Sequence, residues 1–282
     1  MSIIIPIGAS VFQATSMTID KFAMKVKNVS YKTYTGVSFP LIFLFTLMIF
    51  LIFRPEVSSV MFGIKNMVMF VLLIILVLIS NLLYFRALKN DELTEMQSLS
   101  LLKNIPLIIF SAIIFIDERN MVIIALSVIA IFAVIWSHFE KSHFKVSKKT
   151  LPYLIWTATI SPFAGILYKV LLETWSPISL QLVSDGIIAL ILVPAFFDSV
   201  RHVPKKALPL LIATNLFTSI AWIMYFFSYQ IYGIIYTVLI FSLQPVLVYF
   251  ASLILLKEKF HKRKFIAFLV IIAVIVLAQV IK

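Results

Sequence analysis

Apolar residues are grouped along the chain into ten long runs that are separated by short polar breaks. Each run is close to the roughly 20 apolar residues that an α-helix needs to cross the hydrocarbon core of a bilayer. None of them alternates as barrel strands do, and only helices and closed barrels can span lipid. The pattern therefore predicts an all-α integral membrane protein. Its ten predicted transmembrane helices are residues 3–22, 33–53, 64–88, 93–115, 120–137, 151–172, 177–197, 206–229, 231–256 and 264–281.

The ten spans form two groups of five that resemble each other, separated by a basic connector at residues 138–150. An odd number of spans in each group means that the second copy enters the membrane in the opposite orientation. Inverted repeats are a construction of secondary transporters, with the substrate site where the two halves meet. The sequence therefore predicts an inverted 5+5 repeat and indicates transport. The matching features are Tyr84–Phe85 with Tyr225–Phe226, Pro106 with Pro245, Glu118 with Glu258, Ala133–Ile135 with Ala273–Ile275, and Lys21 with Lys169.

This layout resembles the drug/metabolite transporter superfamily, and specifically its ten-helix EamA-like transporter family. The resemblance implies two five-helix EamA-like repeats, at residues 1–137 and 151–282, with the fifth and tenth spans at the periphery. It also implies a solute carrier, often an exporter of amino acids or related metabolites, with a cavity between the repeats. The family often has Trp-Gly where this chain has Phe12-Gln13, and small residues where it has Lys103-Asn104. The resemblance is carried by Tyr84-Phe85-Arg86-Ala87-Leu88, Pro106 and Glu118, and by the second copies Tyr225, Pro245 and Glu258.

The composition excludes a soluble protein: 62% of the 282 residues are hydrophobic, 13% are charged, and the mean hydropathy is +1.09. Soluble domains are about half apolar and about a quarter charged. Soluble enzymes and nucleic-acid-binding proteins are therefore excluded, despite a net charge of +12. The chain has no Cys and only six Gly, so disulfides, thiolate metal sites and an ATP-binding Gly-rich loop are not expected. We expect no cofactor, no enzymatic activity and a location in the cell (plasma) membrane.

The basic residues predict an orientation in the membrane. Most of the 24 Lys and Arg fall on one set of alternating loops, and only Arg54, Lys65, Arg119, Lys169 and Lys282 fall on the other. Because cytoplasmic loops collect Lys and Arg, this bias predicts that both termini lie outside the cell. The family resemblance implies the reverse, with both termini in the cytoplasm, and we follow the charges.

Lys103 is the most informative candidate for a solute site. It lies about ten residues into the fourth predicted span, which at 1.5 Å per residue corresponds to a depth of roughly 15 Å. A lysine at the bilayer centre costs about 2.5–3.5 kcal/mol on insertion scales, so it usually faces a cavity or a charge partner. Lys103 is therefore expected to bind an anionic group or to pair with an acid. The alternative is that the span begins later and the side chain reaches the interface.

Two acids are candidates for substrate binding or coupling. Asp185 is the deepest carboxyl group, in the middle of the seventh span, and has three alternative roles: pairing with Lys103, carrying a proton, or binding a cationic substrate. A neutral Asp that is hydrogen-bonded to a neighbouring helix is the structural alternative. Glu95 lies near the start of the fourth span, where acids also suit the helix dipole.

The remaining candidates follow from the repeat and from residue type. Tyr84, Trp222 and Tyr225 are aromatic residues that can stack on a solute or simply pack against other helices, and Gln13 is a polar residue in the first span. Equivalent prolines in both halves suit a hinge, because each removes a helix hydrogen bond. Acids after the fourth and ninth spans either lock a conformation or belong to solvated turns. These hinge and motif residues are Pro106 and Pro245, and Glu118 and Glu258.

The sequence thus predicts a secondary transporter, an exporter of a small polar metabolite such as an amino acid. It would work by alternating access, through a cavity between the repeats. Its expected partners are a small-molecule solute and the lipid bilayer, with coupling to a proton or a counter-solute, and we expect a monomer or homodimer. One alternative is a membrane-embedded flippase or transferase that acts on a lipid-linked substrate. Another is a non-transporting assembly subunit.

Overall fold

The computed structural model describes residues 3–90, 96, 100–138, 147–255 and 260–281, and these residues are almost entirely helical. The α-helices are α1 (Ile4–Lys25), α2 (Tyr31–Phe53), α3 (Ile64–Asn90), α4 (Asn104–Ile114), α5 (Met121–His138), α6 (Leu151–Thr159), α7 (Ser161–Leu171), α8 (Pro177–Ala195), α9 (Phe197–Arg201), α10 (Leu208–Tyr232), α11 (Ile234–Phe241), α12 (Gln244–Leu255) and α13 (Lys262–Ile281). Three short 3₁₀ turns lie at Ser59–Phe62, Leu101–Lys103 and Ile116–Glu118.

Every predicted apolar run contains helix, but two predicted spans are broken. The sixth span is the pair α6 and α7, which are bent by 44°. Pro162 lies in the first turn of α7 and has no N–H for the carbonyl four residues earlier, which favours a break of the helix at this point. The ninth span is divided into α11 and α12 at a two-residue turn, Ser242–Leu243, directly before Pro245. The predicted span 151–172 is therefore a bent pair of helices, and the predicted span 231–256 contains a turn next to Pro245.

The helix lengths support a protein that crosses the membrane several times. Within the described residues, six segments are long and apolar enough to span a bilayer, and the bent pair α6–α7 adds a seventh. Shorter apolar helices at Leu101–Ile114 and Met121–Ser137 occupy the positions of the fourth and fifth predicted spans. The count of ten spans stays a prediction.

Side-chain caps explain where several helices begin. Ser30 accepts a hydrogen bond from the Thr33 amide at 3.1 Å and caps α2. Ser176 does the same for α8 through the Ser179 amide at 3.0 Å. A capping oxygen provides an acceptor for amides that have no partner within the first helical turn. The turns between apolar runs therefore mark the helix starts.

The packing is apolar on the outside and partly polar on the inside. Large apolar side chains such as Ile52 (73% exposed), Ile64 (86%) and Leu190 (76%) cover the surface of the helices, as expected where lipid is the solvent. Small and polar residues are buried between helices, which is typical of helix contacts in membranes. Helix α1 packs on α10, α2 on α8, α3 on α7, and α5 on α13. This arrangement encloses a cavity.

Candidate functional site

The cavity has a volume of about 260 Å³ and lies between helices of both halves of the chain. Helices α1, α2, α3 and α4 contribute to it from the first half, and α6, α7, α8, α10, α11 and α12 from the second. Helices α5 and α13 contribute no lining residue and pack on each other. The polar lining residues include Gln13, Asp20, Tyr34, Ser38, Ser80, Asn81, Tyr84, Ser100, Lys103, Asn104, Tyr153, Thr157, Ser161, Tyr168, Gln181, Ser184, Asp185, Asn215, Thr218, Tyr225, Tyr229 and Gln244.

Helical spacing explains why these residues share the cavity. On α1, Gln13, Met17 and Asp20 are separated by four and then three residues, so they lie on one face of the helix. On α8, Gln181, Ser184 and Asp185 lie on one face for the same reason. An apolar helix that has one polar stripe can therefore turn that stripe inward and its remaining surface toward lipid.

The cavity contains most of the side chains that the sequence singled out, and the structure brings them together from both halves. Two described candidates do not line it: Glu118, and Pro106, which lies in the first turn of α4 between the lining residues Asn104 and Leu107. Glu95 and Glu258 lie outside the described residues. The predicted residues that line the cavity are Gln13, Tyr84, Lys103, Asp185, Trp222, Tyr225 and Pro245.

Lys103 lies at the junction of the 3₁₀ turn Leu101–Lys103 and α4, where its side chain lines the cavity. It has no ion pair with Asp185, because the one salt bridge of 4.0 Å or less among the described residues joins Lys169 and Glu118. The predicted pairing of Lys103 with Asp185 is therefore not formed in this conformation. Both side chains line the same cavity and can contact a bound molecule separately.

Asp185 is buried in α8 and accepts a hydrogen bond from Nε2 of Gln181 at 2.7 Å. Within the described part of the chain, Oε1 of Gln181 and Oγ of Ser184 have no hydrogen-bond partner, although both residues are buried. Oε1 of Gln13, on the facing helix α1, is also unpartnered there. The α8 side of the cavity thus carries more acceptor atoms than the surrounding protein satisfies.

Asp20 is a second buried carboxyl group in the cavity, and sequence reasoning missed it. It accepts hydrogen bonds from the hydroxyl groups of Tyr34 and Thr214. The signal that indicates it is an acid within an apolar run, at helical spacing from the predicted Gln13. Asp20 joins α1 and α2 to α10, and its two donors satisfy it more fully than Gln181 satisfies Asp185.

Aromatic side chains form the apolar part of the cavity wall. Trp222 and Tyr225 contact each other edge to face, with ring centroids 5.3 Å apart, and the Tyr225 hydroxyl donates to that of Tyr229 at 2.6 Å. Tyr84 packs against Tyr153 from the other half of the chain, at a centroid distance of 5.7 Å. A mainly apolar wall with a few convergent polar groups is the usual composition of small-molecule sites.

Glu118 lies outside the cavity, in the contact between the two halves. It is buried and accepts hydrogen bonds from the amides of Ile234 (2.8 Å) and Ile235 (3.0 Å), the first residues of α11. It also accepts from Ser111 at 2.6 Å and lies 3.7 Å from the ammonium of Lys169. A carboxylate at a helix N-terminus provides acceptors for free amides and interacts favourably with the helix dipole. Of the two roles left open, a solvated turn is therefore excluded for Glu118.

Comparisons with known proteins agree with this picture. The sequence profile of the EamA-like transporter family matches residues 148–279. One solved structure, described only as a crystal structure of a protein, covers 99% of this chain and 96% of its own, with a TM-score of 0.76 and 14% identity. At that identity the likeness shows the fold alone. No curated protein matches the chain. The described helices are those of a multi-pass membrane protein, and residues 148–279 are similar to the EamA-like transporter family.

Proposed function

We propose that the protein is a secondary transporter that exports a small polar metabolite such as an amino acid by alternating access. The observation that supports this most is the cavity of about 260 Å³, which is lined from both halves of the chain by charged and amide side chains. Buried polar groups in a membrane protein are costly and usually mark a solute or ion pathway. The similarity of residues 148–279 to a transporter family supports that interpretation.

An inverted 5+5 repeat is part of the proposal, and matching lysine contacts support it. Lys21 donates from Nζ to the carbonyl of Leu88 at 2.7 Å, and Lys169 donates to the carbonyl of Tyr229 at 3.2 Å. Lys21 and Lys169 correspond in the sequence alignment of the halves. Leu88 and Tyr229 also correspond, because each lies four residues after the aligned tyrosine. The same contact thus occurs once in each proposed repeat.

The pairing of helices supports the same symmetry. If the halves are repeats, α1 corresponds to α6–α7 and α3 corresponds to α10. The contact of α1 with α10 then has a counterpart in the contact of α7 with α3, and both contacts are present. Helices α2 and α8, and also α5 and α13, are corresponding pairs that contact each other. Two halves that are related in this way can exchange conformations, which is the basis of alternating access.

The breaks next to the prolines are candidate hinges. Pro106 follows the 3₁₀ turn Leu101–Lys103 and lies in the first turn of α4, and Pro245 follows the Ser242–Leu243 turn and lies in the first turn of α12. These two positions correspond in the two halves. Helix segments that meet at such a break can change their angle without loss of regular hydrogen bonds within either segment. We propose that opening and closing use these two points.

Transport by reconstituted protein tests this function. Liposomes that contain the purified protein are loaded with amino acids and small organic cations and anions, and efflux is measured by mass spectrometry. We expect efflux of at least one solute that is recovered chemically unchanged, with a rate that depends on a proton or counter-solute gradient. Absence of efflux for every solute, or recovery of a converted product, contradicts the proposal.

A matched pair of variants separates transport through the cavity from leakage. Ala221 lines the cavity and is 1% exposed, whereas Ala125 is on the exposed side of α5. Ala221→Phe is expected to abolish efflux by filling the cavity, and Ala125→Phe is expected to retain it. Elution as a single species in gel filtration confirms that both variants are folded. If Ala221→Phe does not fold, Ala164→Phe replaces it, because Ala164 also lines the cavity.

The orientation, the plasma-membrane location and the coupling ion belong to the same proposal. The distribution of Lys and Arg supports termini outside the cell. A green fluorescent protein fused after the last residue is then expected to remain dark, and alkaline phosphatase at the same position is expected to be active. Cytoplasmic fluorescence of the fusion contradicts the orientation and supports the one that the family resemblance implies.

A further inference from the structure

We propose that Gln181, Ser184 and Asp185 on α8 form the binding site for the ammonium group of the transported solute, which is therefore an amine or an amino acid. We call this set the α8 acceptor site. The inference rests on the proposed function and adds the chemical group by which the solute is recognised.

The three side chains converge on one side of the cavity. They lie at positions i, i+3 and i+4 of α8, all line the cavity, and their exposed fractions are 4%, 5% and 7%. The amide Nε2 of Gln181 donates to Oδ2 of Asp185 at 2.7 Å, which leaves Oε1 of Gln181 as an acceptor. That oxygen and Oγ of Ser184 have no partner among the described residues. The α8 acceptor site therefore has a carboxyl group with one donor, and next to it a buried amide oxygen and a buried hydroxyl oxygen that contact a solute after rotation of their side chains.

An ammonium group matches this set of atoms. It has three N–H donors and no acceptor, so it can satisfy three oxygens at once. A buried polar atom without a partner carries a free-energy cost, so a ligand that supplies the missing donors is favoured. A carboxylate or phosphate group would instead place its lone pairs against the carboxyl group of Asp185. Hydrogen bonds between an ammonium and a carboxylate are also stronger than those between neutral groups.

The other charged groups in the cavity agree with this assignment. Asp20 already accepts hydrogen bonds from Tyr34 and Thr214, so Asp185 is the cavity acid with the fewer donors. Among the described residues, two acidic side chains and one basic side chain line the cavity, which favours a solute with a positive charge. Lys103 forms no ion pair with Asp185, so it remains available for a carboxylate elsewhere on the same solute. The volume of about 260 Å³ suits a small solute of this kind.

Two sets of related solutes that share a side chain test the inference on the wild-type protein. The first set is leucine, 3-methylbutylamine and 4-methylpentanoate, and the second is phenylalanine, 2-phenylethylamine and 3-phenylpropanoate. In each set, the second compound lacks the carboxylate and the third lacks the ammonium. Thermal stabilisation of the purified protein in detergent is measured at increasing concentrations of each. We expect the amino acids and the amines to raise the melting temperature, and the deaminated acids to leave it unchanged.

Substitutions in the α8 acceptor site then test whether it causes the thermal stabilisation by amines. Asp185→Asn keeps the size of the side chain and can still accept from Gln181, so the fold is expected to be retained. The affinity of this variant for the amines is expected to fall at least about tenfold. The affinity of Ser184→Ala for the amines is expected to fall about threefold. Asp198→Asn, at an exposed acid in α9, is the matched control and is expected to bind as the wild type does.

The outcomes separate this inference from the proposed function. Stabilisation by the deaminated acids equal to that by the amines, or unchanged amine affinity in Asp185→Asn, overturns the α8 acceptor site. Absence of stabilisation by all four nitrogen-containing solutes also overturns it. In each of these cases, efflux of some other solute from liposomes leaves the proposed function standing. If no solute leaves the liposomes, the proposed function itself fails.

Discussion

Replacement of Glu118 by Gln is expected to destabilise the protein strongly, although the substitution removes only a charge. Oε1 of Glu118 accepts from the Ile234 amide, and Oε2 accepts from Ser111 and from the Ile235 amide. A glutamine has one acceptor oxygen, and its NH₂ group must face at least one of these donors. One backbone amide at the start of α11 is then left buried and unpaired, and Lys169 loses its acidic partner.

The expected size follows from these contacts. A buried donor that loses its acceptor costs about 1–3 kcal/mol, and hydrogen bonds to a charged group are roughly twice as strong as neutral ones. The remaining bonds weaken because the acceptor becomes neutral, so the total loss is about 3–5 kcal/mol. At roughly 2–4 °C per kcal/mol for a chain of this size, the melting temperature should fall by at least about 6 °C.

Thermal melting of the purified variant in detergent measures this loss. Asp117→Asn is the matched control, because Asp117 is exposed and adjacent in sequence, and its melting temperature is expected to stay within about 2 °C of the wild type. Ser111→Ala removes one of the three hydrogen bonds to Glu118 and should have an intermediate effect. If Glu118→Gln melts like Asp117→Asn, the carboxylate does not cap α11 in the folded protein and the reasoning is refuted.

Three further substitutions test other parts of the structure. Gly233→Ala should lower the free energy of unfolding by about 1–3 kcal/mol, because Gly233 has φ +81° and an added Cβ would lie 2.7 Å from the carboxylate of Glu118 that caps α11. An unchanged melting temperature would contradict this expectation. Tyr34→Phe removes a donor from the buried Asp20 and should lower the stability by about 1–3 kcal/mol in chemical denaturation, whereas an unaltered midpoint would show that the hydrogen bond contributes nothing. Lys103→Met should abolish efflux of a zwitterionic or anionic solute. Its melting temperature should not fall, because the substitution removes an unpaired charge from the membrane. Lys65 is exposed, and the control variant Lys65→Met should keep efflux. Normal efflux by Lys103→Met would mean that the lysine does not bind solute.

The positions of the helices follow from the sequence, but their breaks do not. Helix positions depend on the length of apolar runs, which can be counted directly. A proline within such a run permits a straight, kinked or interrupted helix, and the neighbouring helices decide which of these forms. Pro162 ends up in the first turn of α7 after a 44° bend, whereas Pro40 lies inside the continuous helix α2. The two prolines could not be distinguished from their local sequence.

The candidate site was partly predictable, because a charged side chain within an apolar run has a high free-energy cost in the membrane. Lys103 and Asp185 were found for that reason, and both line the cavity. Asp20 was missed because the adjacent Lys21 marked the end of the predicted span, and the helical spacing from Gln13 was not used. The contact of Glu118 with α11 was not accessible from sequence, because its amide donors are 116 and 117 residues away along the chain.

Buried polar groups in this protein differ in how many hydrogen-bond and ion-pair partners they have. We use this difference to distinguish groups that stabilise the fold from groups proposed to bind the solute. Glu118 has three hydrogen bonds and a nearby lysine, and the contacts of Asp20 join three helices. Both are satisfied without a ligand, so their neutralisation should damage the fold. Asp185 accepts one hydrogen bond and Lys103 forms no ion pair with it, although both line the cavity. Incompletely satisfied polar groups are costly in a membrane and usually mark a pathway for a solute or an ion. If Asp185 and Lys103 bind the solute as proposed, the free energy that they cost the empty protein is recovered as affinity for it.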